Sequence, residues 1–455
     1  MATYSGRFQY LNEMGAAMQG GSCRVTLEGE ALGLIPEKGA PTAFDLGDVD
    51  SFVAADYQLS LKLYTGKIIL LSQFGKTYQN LCHDLLEAYR SRTLQCLLLE
   101  DLDEIERFDG HAQLDSPERS FAGHAELRLY KSNLAVLPET ATGVQWRLAE
   151  IDSVTFDEPT YTLGIRSGSD RLILTKLAKR TEEFISSLQS AMNDLSDRSA
   201  RILHSLFPFL DPDQFQTVAN LMKEGRATAV VKLLAINSRT VPALLENTVD
   251  KHLEPYFDQL RKLTYDENYF AGFKLIRQEA EDAAAEGDPP EARAEGHEQE
   301  DEAVRAPESA PADAEGERES VLHWFFFPLV SSPAAKSPGN LVAWESTSRS
   351  GRATYFFRLI PHDQADQLRD PAKAPPVIEE AIRRLNHALA LLNFRREPIY
   401  LPDESLERQP RYRRHAIACR RIPVLQQLRA SYLGRALHTS PEAWQNQVQT
   451  ILAKS

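Results

Sequence analysis

A run of arginines near the carboxyl end is the part of this sequence best suited to binding chemistry. Six arginines lie within 14 residues: Arg408, Arg411, Arg413, Arg414, Arg420 and Arg421. A planar guanidinium group matches phosphate and carboxylate groups, and the interleaved Tyr412 could stack on a base. The run therefore predicts a site for an anionic partner, either nucleic acid or an acidic protein. The alternative is structural, because acids such as Glu407 are close enough in sequence to pair with these arginines.

Motifs for catalysis are absent from the sequence. It has no GxxxxGK[ST], no GxGxxG after a strand, no GxSxG and no HExxH, and its histidines lack paired ligand spacing. We expect no catalytic residue, no cofactor and no metal. The four cysteines, Cys23, Cys82, Cys96 and Cys419, form neither a disulfide framework nor a CxxC knuckle. A protein that is not an enzyme is the favoured interpretation, and an enzyme with a scattered site is the alternative.

The net charge of −14 is unevenly distributed along the chain. Residues 279–319 alone carry −13, residues 1–278 carry −9, and residues 320–455 carry +8. Apolar runs are too short for a membrane span, and the first residues lack the pattern of an export signal. We therefore expect a cytoplasmic protein whose basic carboxyl-terminal part meets an anionic partner.

An internal repeat organises the first half. Residues of the segment 32–51 recur 102 positions later, so that Asp50 and Ser51 correspond to Asp152 and Ser153. Further on the offset becomes 104: residues 57–77 match residues 161–181, with Ile69 and Leu70 aligned to Ile173 and Leu174. This self-similarity over about 50 positions indicates a duplication.

Each repeat predicts several strands followed by one helix. Alternating apolar residues at 57–63 and 161–165 are typical of half-buried strands, and Gly66 and Gly168 mark the turns that follow. One-sided apolar stripes from residue 78 and from residue 184 predict amphipathic helices. Thr77 and Thr181 are the predicted N-caps, whose hydroxyls would accept from first-turn amides.

This order of elements resembles the pleckstrin-homology-like (PH-like, including GRAM-like) superfold, in tandem over residues 21–95 and 122–195. The resemblance implies two antiparallel sheets, each closed by a carboxyl-terminal helix, that act as binding modules for proteins or phosphoinositides. The tryptophan common in the closing helix of many members is missing here. Few basic residues lie near the first strands, so membrane phosphoinositide binding is disfavoured and protein binding is favoured. A rigid spacer without a ligand is the structural alternative.

The remaining sequence predicts three further regions. Residues 196–278 have helical periodicity, with a helix starting at Asp211 and Pro212. The acidic stretch 279–319 is poor in large apolar residues and is predicted to be a disordered linker, either a plain tether or a polyanion mimic that screens the basic domain. Residues 320–455 predict an α+β domain of unrecognised family. Its predicted elements are aromatic strands near 321–330, 340–344 and 353–360, a hairpin turn at 348–351, a helix starting near Pro376, a helix at 424–437 and a helix starting near Pro441.

The sequence thus predicts a multidomain α+β protein. Its predicted parts are an N-terminal extension (1–20), PH-like domains (21–100 and 120–195), a helical segment (196–278), the acidic linker (279–319) and a basic α+β domain (320–455). The favoured function is a non-enzymatic cytoplasmic scaffold that binds proteins through its tandem repeats and an acidic partner through its arginines. A nucleic-acid-binding or histone-chaperone-like protein is the alternative. No small-molecule substrate is evident.

Overall fold

The computed structural model describes residues 2–100, 102–117, 119–277, 319–331, 337–347 and 353–453. Across these residues the fold is mixed α+β, with three antiparallel sheets, as the sequence predicted. The predicted linker at 279–319 lies outside the described residues, apart from the backbone of Glu319. The turn predicted at residues 348–351 also lies outside them.

The first sheet has seven strands in the order β4-β3-β2-β1-β7-β6-β5. They are Ala2–Leu11 (β1), Ala17–Glu28 (β2), Ala31–Pro36 (β3), Thr42–Asp45 (β4), Val49–Ala55 (β5), Gln58–Leu63 (β6) and Ile68–Ser72 (β7). Alternate side chains of β6, Leu59, Leu61 and Leu63, are buried, because successive residues of a strand point to opposite faces.

Residues 1–20, predicted as an N-terminal extension, contribute β1 and the start of β2 to this sheet. Tyr4 and Phe8 are buried, and Gly6 lies between them on the same face. A Cβ atom at Gly6 would lie 2.6 Å from the ring of Phe74, so the position requires glycine. Gly6 breaks the alternation of apolar and polar residues, so the sequence pattern does not predict this strand.

The second sheet repeats the first. Its strands are Glu104–Asp115 (β8), Ser120–Tyr130 (β9), Asn133–Pro138 (β10), Val144–Arg147 (β11), Ser153–Asp157 (β12), Thr162–Ser167 (β13) and Asp170–Thr175 (β14). Their order is β11-β10-β9-β8-β14-β13-β12, so every strand takes the place of the strand seven numbers earlier. We call residues 2–96 the first repeat and residues 104–206 the second repeat.

The strand register corrects one part of the sequence alignment. Leu59 pairs with Leu71, whereas the equivalent Leu163 pairs with Leu174, so the returning strands are offset by 103 and not by 104. The alignment of Leu70 with Leu174 was wrong by one residue, because the β6–β7 turn is one residue longer than the β13–β14 turn. A slip of one residue would place buried side chains opposite exposed ones.

A long helix packs on each sheet. Tyr78–Cys96 (α1) buries Leu81 and Leu85 among the apolar residues of the first sheet, and Thr181–Leu206 (α2) buries Phe184 and Leu188 in the second. The predicted threonine caps are wrong. The hydroxyls of Thr77 and Thr181 donate to carbonyls three residues earlier in place of accepting from first-turn amides.

The region predicted as helical contains helices and strands. The helices are Pro212–Leu221 (α3), Val230–Ile236 (α4), Thr240–Thr248 (α5) and Glu254–Leu263 (α6). The start of α3 at Pro212 is as predicted, and Asp211 caps this helix by accepting from the amide of Gln214 at 2.8 Å. However, Thr228–Ala229 (β15) and Phe270–Arg277 (β16) are strands, because β16 pairs with a strand that lies beyond the acidic stretch in sequence.

The third sheet has six strands in sequence order, β15 to β20. The other strands are Glu319–Val330 (β17), Pro338–Ser346 (β18), Ala353–Arg358 (β19) and Tyr432–Leu437 (β20). Three of them were predicted. Residues 432–437 were expected to end a helix, but they form β20 because β19 offers them an open edge for pairing.

The carboxyl-terminal helices are Ala374–Leu391 (α7), Glu397–Tyr400 (α8), Asp403–Arg408 (α9), Arg413–Arg421 (α10), Pro423–Ser431 (α11) and Pro441–Leu452 (α12). The described chain forms two compact units. The first unit contains residues 1–226, 380–394 and 398–431, and the second contains 227–379, 395–397 and 432–455. The stretch predicted as one basic domain, 320–455, thus supplies residues to both units.

Candidate binding site

A 3₁₀ turn leads into the edge strand β5 of the first repeat. This turn, Leu46–Asp48, is capped by Asp45, which accepts from the amide of Gly47 at 2.7 Å. The same carboxylate receives two hydrogen bonds from the buried guanidinium of Arg92 on α1, at 2.8 and 2.7 Å. Because a bidentate pair fixes distance and angle together, α1 holds this turn in one position.

Helix α10 binds the 3₁₀ turn of the first repeat. Arg421 donates to the carbonyl of Gly47 and, at 2.7 Å, to the carbonyl of Val49. Arg420 lies with its Nη2 atom 3.6 Å from a carboxylate oxygen of Asp48 and also pairs with Glu407. Two arginines of the predicted site therefore bind an acidic turn of the same unit.

One guanidinium group joins the two repeats. Arg421 donates to the hydroxyl of Thr142 at 3.0 Å, and that hydroxyl donates to the carbonyl of Asp50 at 2.8 Å. Thr142 lies between β10 and β11 in the second repeat, whereas Asp50 lies on β5 in the first. Arg421 thus links α10 to both repeats through neutral acceptors.

The second repeat has an equivalent turn, Leu148–Glu150, before β12. Glu150 corresponds to Asp48 at the offset of 102. One carboxylate oxygen of Glu150 lies 3.1 Å from Nη1 of Arg147, and the other lies 2.5 Å from Nδ1 of His387 on α7. Each turn therefore presents an acid to a basic side chain from a carboxyl-terminal helix.

Glu150 is ionised at neutral pH. Burial alone would raise the pKa of its carboxyl group, but the charges of His387 and Arg147 outweigh this effect and lower the pKa to about 2. An ionised carboxylate only accepts hydrogen bonds, so Nδ1 of His387 must carry the proton. Glu150 therefore anchors α7 to the 3₁₀ turn of the second repeat through charge and hydrogen bonds.

The six predicted arginines fall into two groups. Arg420 and Arg421 bind the first repeat, and Arg414 lies 3.5 Å from the carboxylate of Glu100 in the same unit. The other three are exposed: Arg408, Arg411 and Arg413. The guanidinium of Arg411 lies 4.7 Å from the centre of the Tyr412 ring. Tyr412 itself is buried, so its ring is not accessible for the base stacking that the sequence predicted.

The two edge strands β5 and β12, and the residues that follow them, carry exposed apolar side chains. Val53 is 44% exposed and Tyr57, which follows β5, is 73% exposed. In the second repeat Phe156 is 38% exposed and Tyr161, which follows β12, is 58% exposed. Tyr57 and Tyr161 are equivalent positions of the repeat. Each repeat therefore combines an open sheet edge with apolar contact area.

The second unit contains an enclosed polar cluster. The hydroxyl of Thr354 donates to Glu345 at 2.6 Å and accepts from the indole nitrogen of Trp444 at 2.9 Å. His438 lies 3.2 Å from the same carboxylate, and its ring stacks on Tyr256 with centroids 4.2 Å apart. Because Glu345 and Thr354 are fully buried, this cluster holds α12 and the sheet together.

Within the described residues, no group of three or more His, Cys, Asp or Glu side chains is placed to hold a metal ion. In the same part of the chain, no helix is long and apolar enough to cross a membrane. Neither a scan against models of known protein families nor a search of curated proteins finds a match to this chain.

Sequence reasoning missed the anchor at Glu150 and the link through Thr142. The repeat alignment contained a usable signal, since the offset of 102 places one acid, Asp48, opposite another, Glu150. Their basic partners could not be found in this way, because Arg420 and His387 lie more than 200 residues away from them.

Proposed function

We propose that this protein is a non-enzymatic cytoplasmic adaptor that binds extended segments of other proteins through two PH-like repeats. The identical strand order of the two sheets and the helix packed on each support the PH-like assignment. The observation that carries the function is the pair of open, apolar sheet edges at β5 and β12.

An open edge strand can accept another strand. Its outward backbone amides and carbonyls can form a ladder with an extended peptide, and neighbouring pockets or apolar side chains select the sequence. On β5 this applies to the residues after Asp50, because the carbonyls of Val49 and Asp50 already accept from Arg421 and Thr142. Tyr57 and Tyr161 lie at equivalent ends of the two edges, so one partner with two apolar segments could bind both repeats. Linked sites of this kind raise the overall affinity without new contacts.

The exposed arginines supply a second contact in this proposal. Arg408, Arg411 and Arg413 would bind carboxylates or phosphates of an acidic partner, while Arg414, Arg420 and Arg421 hold their helix in place. The same three exposed arginines also support a second candidate function, nucleic-acid or histone-chaperone-like binding, through contacts with phosphates. Retention of the full chain on single-stranded DNA, with affinity that falls steeply as salt rises, would favour that candidate.

A peptide-display selection on the immobilised full chain tests the adaptor proposal. We expect enriched peptides with alternating apolar residues, whose affinity drops at least about tenfold when Val53 and Phe156 are both replaced by lysine, because a charged edge disfavours strand addition. Val321→Lys is the matched control, since Val321 is similarly exposed, at 37%, on a strand of the third sheet.

Selected peptides that bind the Val53→Lys/Phe156→Lys protein as well as the unchanged chain would refute the edge as the binding site. Failure to enrich any peptide would refute this mode of binding altogether.

A further inference from the structure

A cavity of about 250 Å³ opens in the first unit between the second repeat and the carboxyl-terminal helices. We propose that it binds a small amphipathic anion, namely a carboxylate, sulfonate or phosphate monoester attached to an apolar or aromatic body. This site goes beyond the adaptor function, which uses the sheet edges. The volume lies just below the range of about 300–1,000 Å³ for sites of drug-sized ligands, so the ligand must be small.

Part of the wall of this cavity is apolar. Its apolar residues come from the second repeat, the end of α1 and the helices: Leu97, Val144, Trp146, Leu391, Ile422 and Val424. Trp146 is almost completely buried, so its indole forms part of a rigid surface. An aromatic ring placed against it would gain both apolar burial and ring contact.

Three arginines line the cavity: Arg119, Arg383 and Arg384. Glu380 accepts two hydrogen bonds from Arg383, both at 2.8 Å, and one from Nε of Arg384 at 2.8 Å. A guanidinium group has five N–H donors, so the Glu380 carboxylate uses only part of this capacity. The side chain of Arg384 is 52% exposed, which leaves it accessible to a ligand.

The charges around the cavity favour an anion over a cation. Four arginines lie in or next to it, Arg147 together with the three above, against three carboxylates: Glu150, Asp170 and Glu380. Glu150 and Arg147 pair with each other, so neither charge is available to a ligand. Arg384 donates to Glu380 through Nε, and the Nη1 and Nη2 atoms of this exposed side chain suit a single anionic group.

The mixture of polar and apolar residues in the lining argues for an apolar body on the ligand. Polar and apolar residues line the cavity in similar numbers, so a bare polyanion would leave the wall around Trp146 in contact with poorly hydrogen-bonded groups. A compound with an aromatic body and one anionic group satisfies both sides.

Isothermal titration of the full chain with three naphthalene probes tests the proposal. We expect 1-naphthyl phosphate and 2-naphthoate to bind with a Kd below about 1 mM, and the neutral 1-naphthalenemethanol at least about tenfold more weakly. Inositol hexakisphosphate serves as the bare polyanion and should bind more weakly than 1-naphthyl phosphate. The ratio between the phosphate and the carboxylate identifies the preferred anionic group.

Two variants place the probe in this cavity. Arg384→Gln should weaken binding of 1-naphthyl phosphate at least about fivefold, and Arg171→Gln, a change at an exposed arginine outside the cavity, should leave it unchanged. Ser169→Tyr, at an exposed position on the cavity lining, should block binding sterically without disturbing the core. The proposal is overturned by the absence of saturable binding, by equal affinity for the neutral probe, by tighter binding of inositol hexakisphosphate, or by equal effects of Arg384→Gln and Arg171→Gln.

Discussion

Replacement of Glu150 by glutamine should destabilise the first unit in a way that depends on pH. In the folded protein the Glu150 carboxylate binds Arg147 and His387, and its pKa lies at about 2, below the ordinary value of 4.5. A lowered pKa stabilises the fold at every pH above 4.5, and this contribution is lost as the pH falls from 4.5 to about 2.

The magnitude follows from that interval. At about 1.4 kcal/mol per pH unit, the difference between 4.5 and about 2 corresponds to about 3 kcal/mol of unfolding free energy at neutral pH. Glutamine retains the shape and part of the hydrogen bonding, so we expect Glu150→Gln to lose about 2 kcal/mol at pH 7. Between pH 4 and pH 3 the unchanged protein should lose about 1 kcal/mol more than the variant.

Because the chain has two compact units, the unfolding measurement needs a signal that reports on the first unit alone. Trp146 lies in the first unit, and the other three of the four tryptophans, Trp324, Trp344 and Trp444, lie in the second. Incorporation of 5-fluorotryptophan therefore gives one ¹⁹F NMR resonance for the first unit. Urea unfolding followed at that resonance, at pH values from 7 to 3, measures the required free energies.

The control is another histidine–glutamate pair in the second repeat. His124 and Glu139 lie 3.0 Å apart, but both side chains are about half exposed. Glu139→Gln should therefore change the unfolding free energy by less than about 1 kcal/mol at all pH values. A constant difference between Glu150→Gln and the unchanged protein from pH 7 to pH 3 would refute the assignment of Glu150 as an ionised anchor.

Three further predictions concern other parts of the fold. Arg421→Ala should lower the urea midpoint at the Trp146 resonance by the equivalent of about 2 kcal/mol, because it removes the hydrogen bonds to Val49 and Thr142. Arg413→Ala, at an exposed position, should have little effect. Equal midpoints for the two variants would contradict the role of Arg421 in holding α10 to the repeats. Leu85→Ala, in the core of the first repeat, should cost about 2–5 kcal/mol in the same measurement, and a smaller loss would show that the helix face is less tightly packed. Burial lowers the pKa of His323 from 6.5 to about 4, so stability of the second unit should fall as the pH drops from 6.5 to 4; His323→Phe should flatten this profile at the other ¹⁹F resonances, and an unchanged profile would exclude His323 as its source.

Local patterns in the sequence predicted several strands of the repeats and three of the six strands of the third sheet. Residues 58–63 and 162–167 alternate apolar and polar side chains, and the structure has β6 and β13 at these positions. The helices α1 and α2 followed in the same way from their apolar stripes. These strands and helices can be predicted because burial of one face makes apolar residues recur at the period of the strand or helix.

Strands that depend on distant partners were harder to predict. Residues 432–437 follow a helical pattern, yet they form β20 because they complete the third sheet beside β19. Residues 2–11 were set aside as an extension, yet β1 pairs with both β2 and β7. In both cases pairing across the sheet outweighs local preference.

The sequence by itself determined that arginines are concentrated between residues 408 and 421 and that the chain carries an internal repeat. The tertiary structure decided what those arginines do: Arg420 and Arg421 bind the 3₁₀ turn of the first repeat, while Arg408, Arg411 and Arg413 are left exposed. The physical reason is distance along the chain. Composition and periodicity report on near neighbours, whereas the contacts of Arg421 join residues more than 270 positions apart, and only folding brings such residues together.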